Sequence, residues 1–383
     1  MPDQPLRVLH LTLGADAGGL SRYIIDLGNA MIDQGHQVIV AGDTGAWQWA
    51  FDESKLKYLQ IPLKGGIWSF YQCVRQLREF VRTNPVDVIH THYRRATMLG
   101  RRIHRHAGRA AVSDTSDALR CTRAPLIYTV HLSHISLKFP RNLLSDFGDV
   151  AHVAAPEAKQ WLLHDAHLPE DRIALIPHGI PIEKFPLRDD ATMIAARHAL
   201  HLSDEDVVAI YAGRLDWPKN EDWMVDLADA ARFKLPKLKV LLVGEGPHDS
   251  LLREEIARRN LADRVFLLGH RDPLACYQAA DLLCLPSQRE GFSFVCGEAM
   301  SVGVPILRTR TAGTMQLVHE NETGRSVEIE RDAFIGTAIE MLSDRANLRR
   351  MGRNASQLVR TAFTFDRQVE ETIDLYRRLQ LVS

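Results

Sequence analysis

Residues 240–244 read VLLVG and residues 282–286 read LLCLP, two short apolar runs that end at a glycine or a proline. Neither run shows the apolar–polar alternation of a strand with one wet face, so both are predicted to be strands buried on both faces. Similar runs recur along the chain with room for one helix between them. We therefore predict an α/β fold in which parallel sheets carry helices on both faces.

The predicted strands form two sets, one on each side of the Pro- and Gly-rich stretch IPHGIPIEKFPL at 176–187. The first set comprises residues 7–13, 38–41, 86–92, 126–131, 150–155 and 173–177, and the second comprises 207–215, 240–244, 265–269, 282–286 and 305–309. We predict a first domain over 1–182 and a second over 183–361. A closing helix within 362–383 is expected to pack back on the first domain.

Composition excludes several classes of protein. The 383 residues are 45% hydrophobic and 25% charged, and 47 Lys and Arg balance 48 Asp and Glu, whereas a dedicated nucleic-acid binder is usually strongly basic. No apolar run approaches the ~18 residues of a membrane span, and residues 1–14 do not resemble a secretory signal. The five cysteines are odd in number and lack a CxxC pair. We expect a cytoplasmic protein with reduced, buried thiols and no metal site.

The charge is unevenly distributed between the two predicted domains. Residues 1–182 carry 20 basic and 17 acidic side chains and 12 of the 17 histidines, whereas the rest of the chain is acidic. A basic, His-rich half and an acidic half indicate two domains with different tasks.

An acidic motif is the strongest chemical signal. In SQREGFSFVCGEAM (287–300), Glu290 lies in the loop after a predicted strand. Glu298, separated from Glu290 by seven residues, lies on a helix predicted to start near Phe292. The free amides and the dipole of a helix N-terminus favour an anionic ligand. The alternative is a pair of solvated glutamates at a helix start.

Two cations follow the first strand of the second domain. Arg214 and Lys219 lie five residues apart in GRLDWPKN (213–220). A guanidinium and an ammonium at a strand's carboxyl end can clamp a diphosphate, although solvated loop cations are the alternative.

In the first domain, GADAGG (14–19) follows a strand and opens a helix, but it lacks the G-x-G-x-x-G spacing, and Asp43 is only a weak ribose ligand. The hypothesis that the protein is an NAD-dependent oxidoreductase would rest on such glycines alone. His131 ends the strand LIYTVH (126–131), where an imidazole faces a ligand or is structural, and His90 and His92 end the strand before it.

Residues 68–82 predict an amphipathic helix. Trp68, Tyr71, Val74, Leu77 and Val81 repeat at helical spacing, beside a stripe of three arginines at 75, 78 and 82. Core packing with a solvated face is the ordinary interpretation, and contact with an anionic membrane or acceptor is the alternative.

The ordered set of motifs resembles the retaining GT-B glycosyltransferases of family 4, over essentially the whole chain. The resemblance rests on Gly18-Gly19, Gly35-His-Gln-Val38, Asp87-Val-Ile-His90-Thr-His92, Tyr128-Thr-Val-His131, Ile176-Pro-His-Gly179-Ile, Gly213-Arg214-Leu, Lys219-Asn220, Gly244-Glu-Gly246-Pro247, Ser287, Glu290-x7-Glu298-Ala-Met and Pro305. It implies two Rossmann-like domains that face each other across a central cleft, with a nucleotide-sugar donor held mainly by the second domain.

The resemblance also implies residue roles for sugar transfer from that donor to a hydroxyl acceptor, without a metal or other cofactor. The catalytic residues would be His131, beside the donor sugar, and Glu290, which orients it. The donor-binding residues would be Gly18, Gly19, Arg214, Lys219, Phe292, Ser293, Phe294 and Glu298. Arg214 and Lys219 would neutralise the diphosphate, and Glu298 would bind the ribose.

A non-catalytic nucleotide-sugar-binding protein of the same fold is the alternative. The sequence departs from the family pattern at Gln316, where many relatives have a glutamate after a Gly-Gly pair. Residues 101–124 are predicted to form a surface excursion on the acceptor side. The motifs leave open the nucleotide base, the sugar, the acceptor and the oligomeric state. Peripheral association with the inner face of the membrane is the alternative to a purely cytoplasmic location.

Overall fold

The computed structural model describes residues 4–108, 123–131 and 145–382, which form two compact units. The first unit is Met1–Pro177 together with Gln368–Ser383, and the second is His178–Arg367. Each unit contains one sheet of parallel strands, so the chain crosses from the first sheet to the second inside the stretch IPHGIPIEKFPL.

The first sheet has seven strands in the order β3-β2-β1-β4-β5-β6-β7. They are β1 Arg7–Gly14, β2 Gln37–Asp43, β3 Lys57–Gln60, β4 Val88–Thr91, β5 Leu126–Val130, β6 Val150–Val153 and β7 Ile173–Leu175. The order reverses between β1 and β4, and the loops that leave the carboxyl ends of these two strands diverge there. Such a switch point is where open α/β sheets bind ligands.

The second sheet has six strands in the order β10-β9-β8-β11-β12-β13, with its own switch point between β8 and β11. The strands are β8 Val207–Ala212, β9 Leu238–Val243, β10 Val265–Leu267, β11 Leu282–Leu285, β12 Ile306–Thr309 and β13 Gly324–Val327. Every residue of β11 and β12 is buried. The interpretation of LLCLP as a strand covered on both faces is confirmed.

Helices alternate with the strands in both units. They are α1 Gly19–Asp33, α2 Gln48–Asp52, α3 Ile67–Thr83, α4 Arg94–Ile103, α5 Pro156–His164, α6 Asp190–Ala199, α7 Trp223–Ala230, α8 Asp249–Arg258, α9 Leu274–Ala279, α10 Phe294–Val302, α11 Thr314–Leu317, α12 Arg331–Leu342, α13 Arg345–Ala362 and α14 Phe365–Val382. Among the described residues, each helix is too short or too polar to span a membrane.

The sequence did not reveal strands β3 and β13. Both lie at a sheet edge and have four residues, KYLQ and GRSV, with only partial burial. A short edge strand is specified mainly by backbone pairing with its neighbour, so its side chains carry little apolar pattern.

The prediction of a surface excursion from residue 101 is wrong for its first part. Helix α4 continues to Ile103, which is buried, and a single 3-10 turn follows over His104–His106. Arg101, in the last turn of this helix, makes two hydrogen bonds to Asp146 at 2.7 and 2.9 Å. It also donates to Asp149 at 2.9 Å. The polar sequence hid a helix end that is anchored by partly buried ion pairs. Residues 109–122 lie outside the described residues.

Helix α3 divides its faces differently from the predicted apolar stripe. Val74, Leu77 and Val81 are buried, but Trp68 is 83% exposed and Tyr71 is 55% exposed. The two aromatic rings therefore lie on the solvent side of the helix, where the arginines at 75, 78 and 82 are also exposed. The apolar stripe predicted from helical spacing therefore combined residues of two different faces. The prediction treated both aromatic rings as core residues.

The four cysteines within the described residues are free and buried, as expected, and they are Cys73, Cys276, Cys284 and Cys296. Cys121 lies outside the described residues.

A buried arginine stabilises the second unit. Arg197 of α6 is fully buried, bonds Asp281 at 2.8 Å, and donates to the carbonyl oxygens of Ala279, Asp204 and Asp206. The same Asp281 carboxylate accepts the amide of Val208 at the start of β8. This network ties α6 to the amino edge of the second sheet.

We expect Arg197→Ala to lower the free energy of unfolding by about 3–5 kcal/mol, because it leaves the buried Asp281 carboxylate and three carbonyls without their donor. Urea titration followed by circular dichroism measures the change. The control is Arg345→Ala, since Arg345 approaches the same carboxylate from the surface at 3.7 Å and should cost less than about 1 kcal/mol. Equal losses in the two variants would show that the buried contacts of Arg197 do not stabilise the second unit.

Candidate functional site

Two loops at the switch point of the second sheet are joined by backbone and amide hydrogen bonds. One loop follows β8 and the other follows its neighbour β11. The side-chain amide of Asn220 donates to the Pro286 carbonyl at 2.9 Å, and the Gln288 amide donates to the Pro218 carbonyl at 2.8 Å. The side chain of Gln288 also donates to Asn220 at 3.1 Å. These bonds fix the loops against each other before any ligand arrives.

The same two loops bring Lys219 and Glu290 together. The ammonium of Lys219 lies 2.6 Å from a carboxylate oxygen of Glu290, and both side chains are largely shielded, with 26% and 11% exposed. Arg214 is different, because its side chain is 67% exposed and pairs with Asp216 at 2.9 Å. The structure therefore joins Lys219 to Glu290, while Arg214 stays at the surface with a carboxylate of its own loop.

Helix α10 begins at Phe294, two residues later than predicted, and its N-cap is Ser293. The Ser293 side chain makes no capping bond, and the amides of the first turn have no partner within the helix. Aromatic packing holds this end in place, since the His178 ring stacks on Phe294 at 5.1 Å and meets the edge of Phe292 at 5.6 Å. The rings of Phe292 and Phe294 are thus structural, and their amides remain available to an anion.

Glu298 lies on the same helix and is 1% exposed. The hydroxyl of Tyr277, itself fully buried, donates to a Glu298 carboxylate oxygen at 3.0 Å. The predicted ribose ligand is therefore held from behind by α9. A carboxylate fixed in this way meets a pair of hydroxyls without losing side-chain entropy on binding.

Arg308 was not among the predicted site residues, although it lies at the carboxyl end of β12 and is fully buried. One terminal nitrogen bonds Thr311 at 2.6 Å and the Ala312 carbonyl at 3.2 Å, whereas its other two nitrogens have no partner among the described residues. No carboxylate of the described chain pairs with it. The guanidinium thus adds an uncompensated positive charge beneath the loop that continues to Gly313.

Gly313 shows why this loop is specific. Its φ is +72°, and a Cβ there would lie 2.7 Å from the carbonyl oxygen of Gly291. The loop therefore packs backbone to backbone on the residue after Glu290.

The sequence did contain a signal for Arg308, since this residue places a charge within a short strand. However, a buried arginine without a carboxylate partner is too rare to be assumed from the sequence.

The Gly244-Glu-Gly246 sequence has a packing role. A Cβ on Gly244 would lie 1.8 Å from the Gly213 carbonyl oxygen, and one on Gly246 would lie 2.1 Å from that of Leu215. The loops after β8 and β9 are in close backbone contact, which positions the segment that leads to Lys219.

In the first unit, Gly18 and Gly19 end the loop between β1 and α1. Gly18 has a φ of +138°, and Gly19 is the first residue of the helix. Lys64 steadies this loop by binding Asp16 at 2.6 Å and the Thr44 carbonyl at 3.0 Å. The Asp43 carboxylate accepts the amides of Thr44 and Lys64, so it shapes the neighbouring loop.

His131 directly follows β5 and connects to two buried histidines. His131 Nε2 lies 3.1 Å from His92 Nδ1, and His92 Nε2 lies 2.9 Å from His10 Nδ1. Burial lowers the pKa of His10 and of His131 to about 3, and burial together with neighbouring imidazoles lowers the pKa of His92. The imidazoles are neutral at physiological pH.

A second series of hydrogen bonds begins on helix α14. The Tyr376 hydroxyl lies 2.5 Å from His90 Nδ1, and His90 Nε2 lies at the same distance from Thr129 Oγ1. Thr129 Oγ1 continues to His152 Nδ1 at 2.8 Å, and His152 Nε2 reaches the Ile176 carbonyl at 3.0 Å. The C-terminal helix is thereby bonded to β4 of the first sheet. Sequence reasoning missed this because His152 and Tyr376 lie outside any motif.

We expect the protein to lose stability as the pH falls below 6.5. The pKa values of His10, His131 and His152 are about 3, 3 and 4 in the folded chain, against about 6.5 when unfolded, so the unfolded chain binds more protons in this range. The contribution of these neutral imidazoles to stability is complete above pH 6.5 and is lost as the pH falls toward their folded pKa values. At pH 5, each imidazole has lowered the free energy of unfolding by about 2 kcal/mol relative to its value at high pH.

Urea titrations at pH 7.5 and pH 5.0 measure this loss. His164→Ala, at an exposed position, should keep the wild-type difference between the two pH values, whereas His10→Phe should reduce it. An unfolding free energy that is the same at both pH values would contradict the buried, neutral state of these imidazoles.

The chain matches two family models that together extend over most of its length. Residues 17–184 match the model described as Glycosyltransferase Family 4, and residues 194–358 match the model described as Glycosyl transferases group 1. The predicted motifs of both halves fall inside these matches.

Individual relatives are more distant. A D-inositol 3-phosphate glycosyltransferase of Nocardia farcinica is 29% identical over 73% of this chain, and the match covers 64% of that protein. The Escherichia coli UDP-Gal:alpha-D-GlcNAc-diphosphoundecaprenol alpha-1,3-galactosyltransferase is 26% identical over 78% of this chain and 77% of its own length. The structure of Anabaena HepE in complex with UDP superposes with a TM-score of 0.77 at 20% identity, covering 97% of this chain and all of that one. That likeness confirms the GT-B fold.

Proposed function

The chain belongs to the group 1, family 4 glycosyltransferases, and we propose that it moves a hexose-type sugar from a nucleotide-diphosphate sugar to a hydroxyl acceptor with retention at the anomeric carbon. The observation that carries this proposal is the Lys219–Glu290 pair at 2.6 Å, held by two cross-linked loops beside the N-terminus of α10. An ammonium, a carboxylate and free helix amides at one switch point match the phosphate and sugar of such a donor.

The second unit supplies positive charge for the leaving group. Lys219 and Arg214 neutralise the diphosphate, and the backbone amides of Ser293 and Phe294 donate hydrogen bonds to a phosphate oxygen at the positive end of the helix dipole. The buried guanidinium of Arg308 adds to the positive potential under the adjoining loop. These groups provide charge stabilisation that otherwise falls to a divalent cation, and we propose that the reaction needs no metal.

Glu298 binds the donor ribose and Glu290 orients the sugar. Because Glu290 is bonded to Lys219, its carboxylate is held in place, where it can accept hydrogen bonds from sugar hydroxyls and stabilise positive charge at the anomeric carbon. The bond from that carbon to the phosphate oxygen breaks, and a bond to the acceptor oxygen forms on the same face. The acceptor hydroxyl proton passes to the departing phosphate, so no covalent adduct on Glu290 is required.

We propose UDP as the nucleotide part of the donor. The support is the UDP in the Anabaena HepE complex and the UDP-galactose in the name of the Escherichia coli relative. In the first unit, Gly18 and Gly19 contact the donor through their backbone, and His131 contacts the substrate near the reacting centre.

The exposed aromatic and basic side of α3 supports peripheral contact with an anionic membrane. Trp68 and Tyr71 lie at the start of this side, and exposed arginines continue along it. Aromatic rings favour the headgroup region, and arginines are attracted to anionic lipid, so the charge and the aromatic rings agree. This contact is compatible with a lipid-linked hydroxyl acceptor.

Replacing the site lysine tests the proposed activity. We expect Lys219→Ala to reduce kcat/KM for donor hydrolysis or transfer by about 100-fold, because it removes the cation at the leaving group and frees Glu290. The assay follows release of UDP from UDP-glucose, UDP-galactose and UDP-N-acetylglucosamine. The same assay with EDTA should give the wild-type rate.

The matched control is Lys237→Ala, which breaks a surface Lys–Glu pair with Glu205 at the opposite, amino end of β9. It should retain wild-type turnover. Wild-type turnover in Lys219→Ala would overturn the assigned role of the lysine, and loss of activity in EDTA would overturn metal independence. Tight donor binding without any turnover by the wild-type chain would favour a non-catalytic binding protein. An inverted anomeric configuration in the NMR spectrum of the product would overturn retention.

We expect Trp68→Ser to reduce sedimentation with anionic vesicles at low salt by at least about half, since it removes the most exposed aromatic ring of α3. Phe233→Ser is the control, because Phe233 is a 94% exposed ring of the second unit. Wild-type protein that stays in the supernatant with phosphatidylglycerol vesicles would contradict membrane contact.

A further inference from the structure

Three imidazoles of the first unit form one hydrogen-bonded chain whose direction can be derived. His10 lies on β1, His92 follows β4, and His131 follows β5, so neighbouring strands place them side by side. The His10 and His92 rings are stacked with centroids 5.2 Å apart, and those of His92 and His131 are 5.4 Å apart. Each ring of the chain offers a nitrogen to the next.

The end of the chain at His10 determines where the protons lie. His10 Nε2 is buried and has no hydrogen-bond partner among the described residues. A neutral imidazole has one N–H donor and one lone-pair acceptor, and a buried N–H without an acceptor is rarer than an unused lone pair. The proton of His10 is therefore on Nδ1, from which it is donated to Nε2 of His92.

The remaining positions follow from this one. His92 accepts at Nε2, so it carries its proton on Nδ1 and donates it to Nε2 of His131. His131 accepts at Nε2 and must carry its own proton on Nδ1. His131 is thus a hydrogen-bond donor at Nδ1.

We propose that His10 and His92 are positioning residues that hold His131 in the Nδ1–H form, so that His131 acts in sugar transfer as a hydrogen-bond donor to a substrate oxygen and not as a base. The inference rests on the proposed function for the identity of the reaction. A base at this place would need a lone pair on Nδ1, which the chain fills with a proton.

The second series of hydrogen bonds, from Tyr376 to the Ile176 carbonyl, prevents His90 from donating a proton to His10 and so reversing these proton positions. The Ile176 carbonyl can only accept, so His152 donates to it from Nε2 and accepts at Nδ1 from the Thr129 hydroxyl. Thr129 then accepts from Nε2 of His90, and His90 accepts the hydroxyl proton of Tyr376 at Nδ1. Both nitrogens of His90 are therefore engaged, and His90 has no proton to offer to His10.

A metal ion is the other occupant that this cluster could hold. One nitrogen each from His10, His90 and His92 lie within 4.8 Å of one another. However, both ring nitrogens of His90 and of His92 are already in hydrogen bonds, so a metal would have to break several of them. The hydrogen bonds favour the proton chain.

Nitrogen NMR of the full chain with 15N-labelled histidine tests the tautomers directly. We expect His131, assigned by its loss in His131→Asn, to show the Nδ1–H pattern in the wild-type protein. His92→Phe keeps a ring but cannot hydrogen bond, and it should shift His131 toward the Nε2–H pattern. His92→Gln can accept with its carbonyl and donate with its amide, so it should restore the Nδ1–H pattern.

Kinetics provide the second readout. We expect His92→Phe to lower kcat by about 10-fold with little change in the KM for the donor, and His92→Gln to recover most of that loss. The control is His36→Phe, since His36 is a buried histidine just before β2, at the amino end of the sheet, whose ring accepts the Leu6 amide. It should retain wild-type kcat.

Three results would overturn the proposal. They are a wild-type His131 with its proton on Nε2, a His92→Phe variant as active as His36→Phe, and purified protein that retains one equivalent of zinc after dialysis against EDTA. If the wild-type protein releases no UDP from any donor, the proposed function fails. The NMR experiment would still determine which nitrogen of His131 carries the proton.

Discussion

The ion pair between Lys219 and Glu290 is the interaction on which the candidate site depends. It joins loops that leave β8 and β11, two neighbouring strands at the point where the order of the second sheet reverses. Hydrogen bonds from Asn220 and Gln288 also join the two loops, so the ion pair is not the sole contact that orders them. A cation and an anion are thereby held next to the free amides of α10 at low entropic cost.

The first unit uses the same topology for a different purpose. Its switch point lies between β1 and β4, and these strands carry buried histidines where the second sheet carries apolar side chains. Burial keeps the imidazoles neutral, so they act as fixed donors and acceptors. Through Tyr376, the C-terminal helix becomes part of this arrangement, although it is the last element of the chain.

Much of this could be predicted from the sequence, because apolar strand runs and loop motifs are local signals. Glu290 and Lys219 were found by their motifs, and the structure places them in contact. Edge strands β3 and β13 were not found, since their pairing is set by neighbours. Arg308 and the partners of His131 are properties of side-chain contacts between distant segments, which no spacing records. Trp68 was assigned to the core because periodicity alone does not distinguish a buried ring from an exposed one.

We propose above all that the second unit is preorganised to bind a nucleotide diphosphate. The decisive experiment is isothermal titration calorimetry of the full chain with UDP and, separately, with NAD. We expect UDP to bind with 1:1 stoichiometry and with an affinity that falls as salt is added, and we expect no heat of binding for NAD. Binding of NAD without binding of UDP would contradict it.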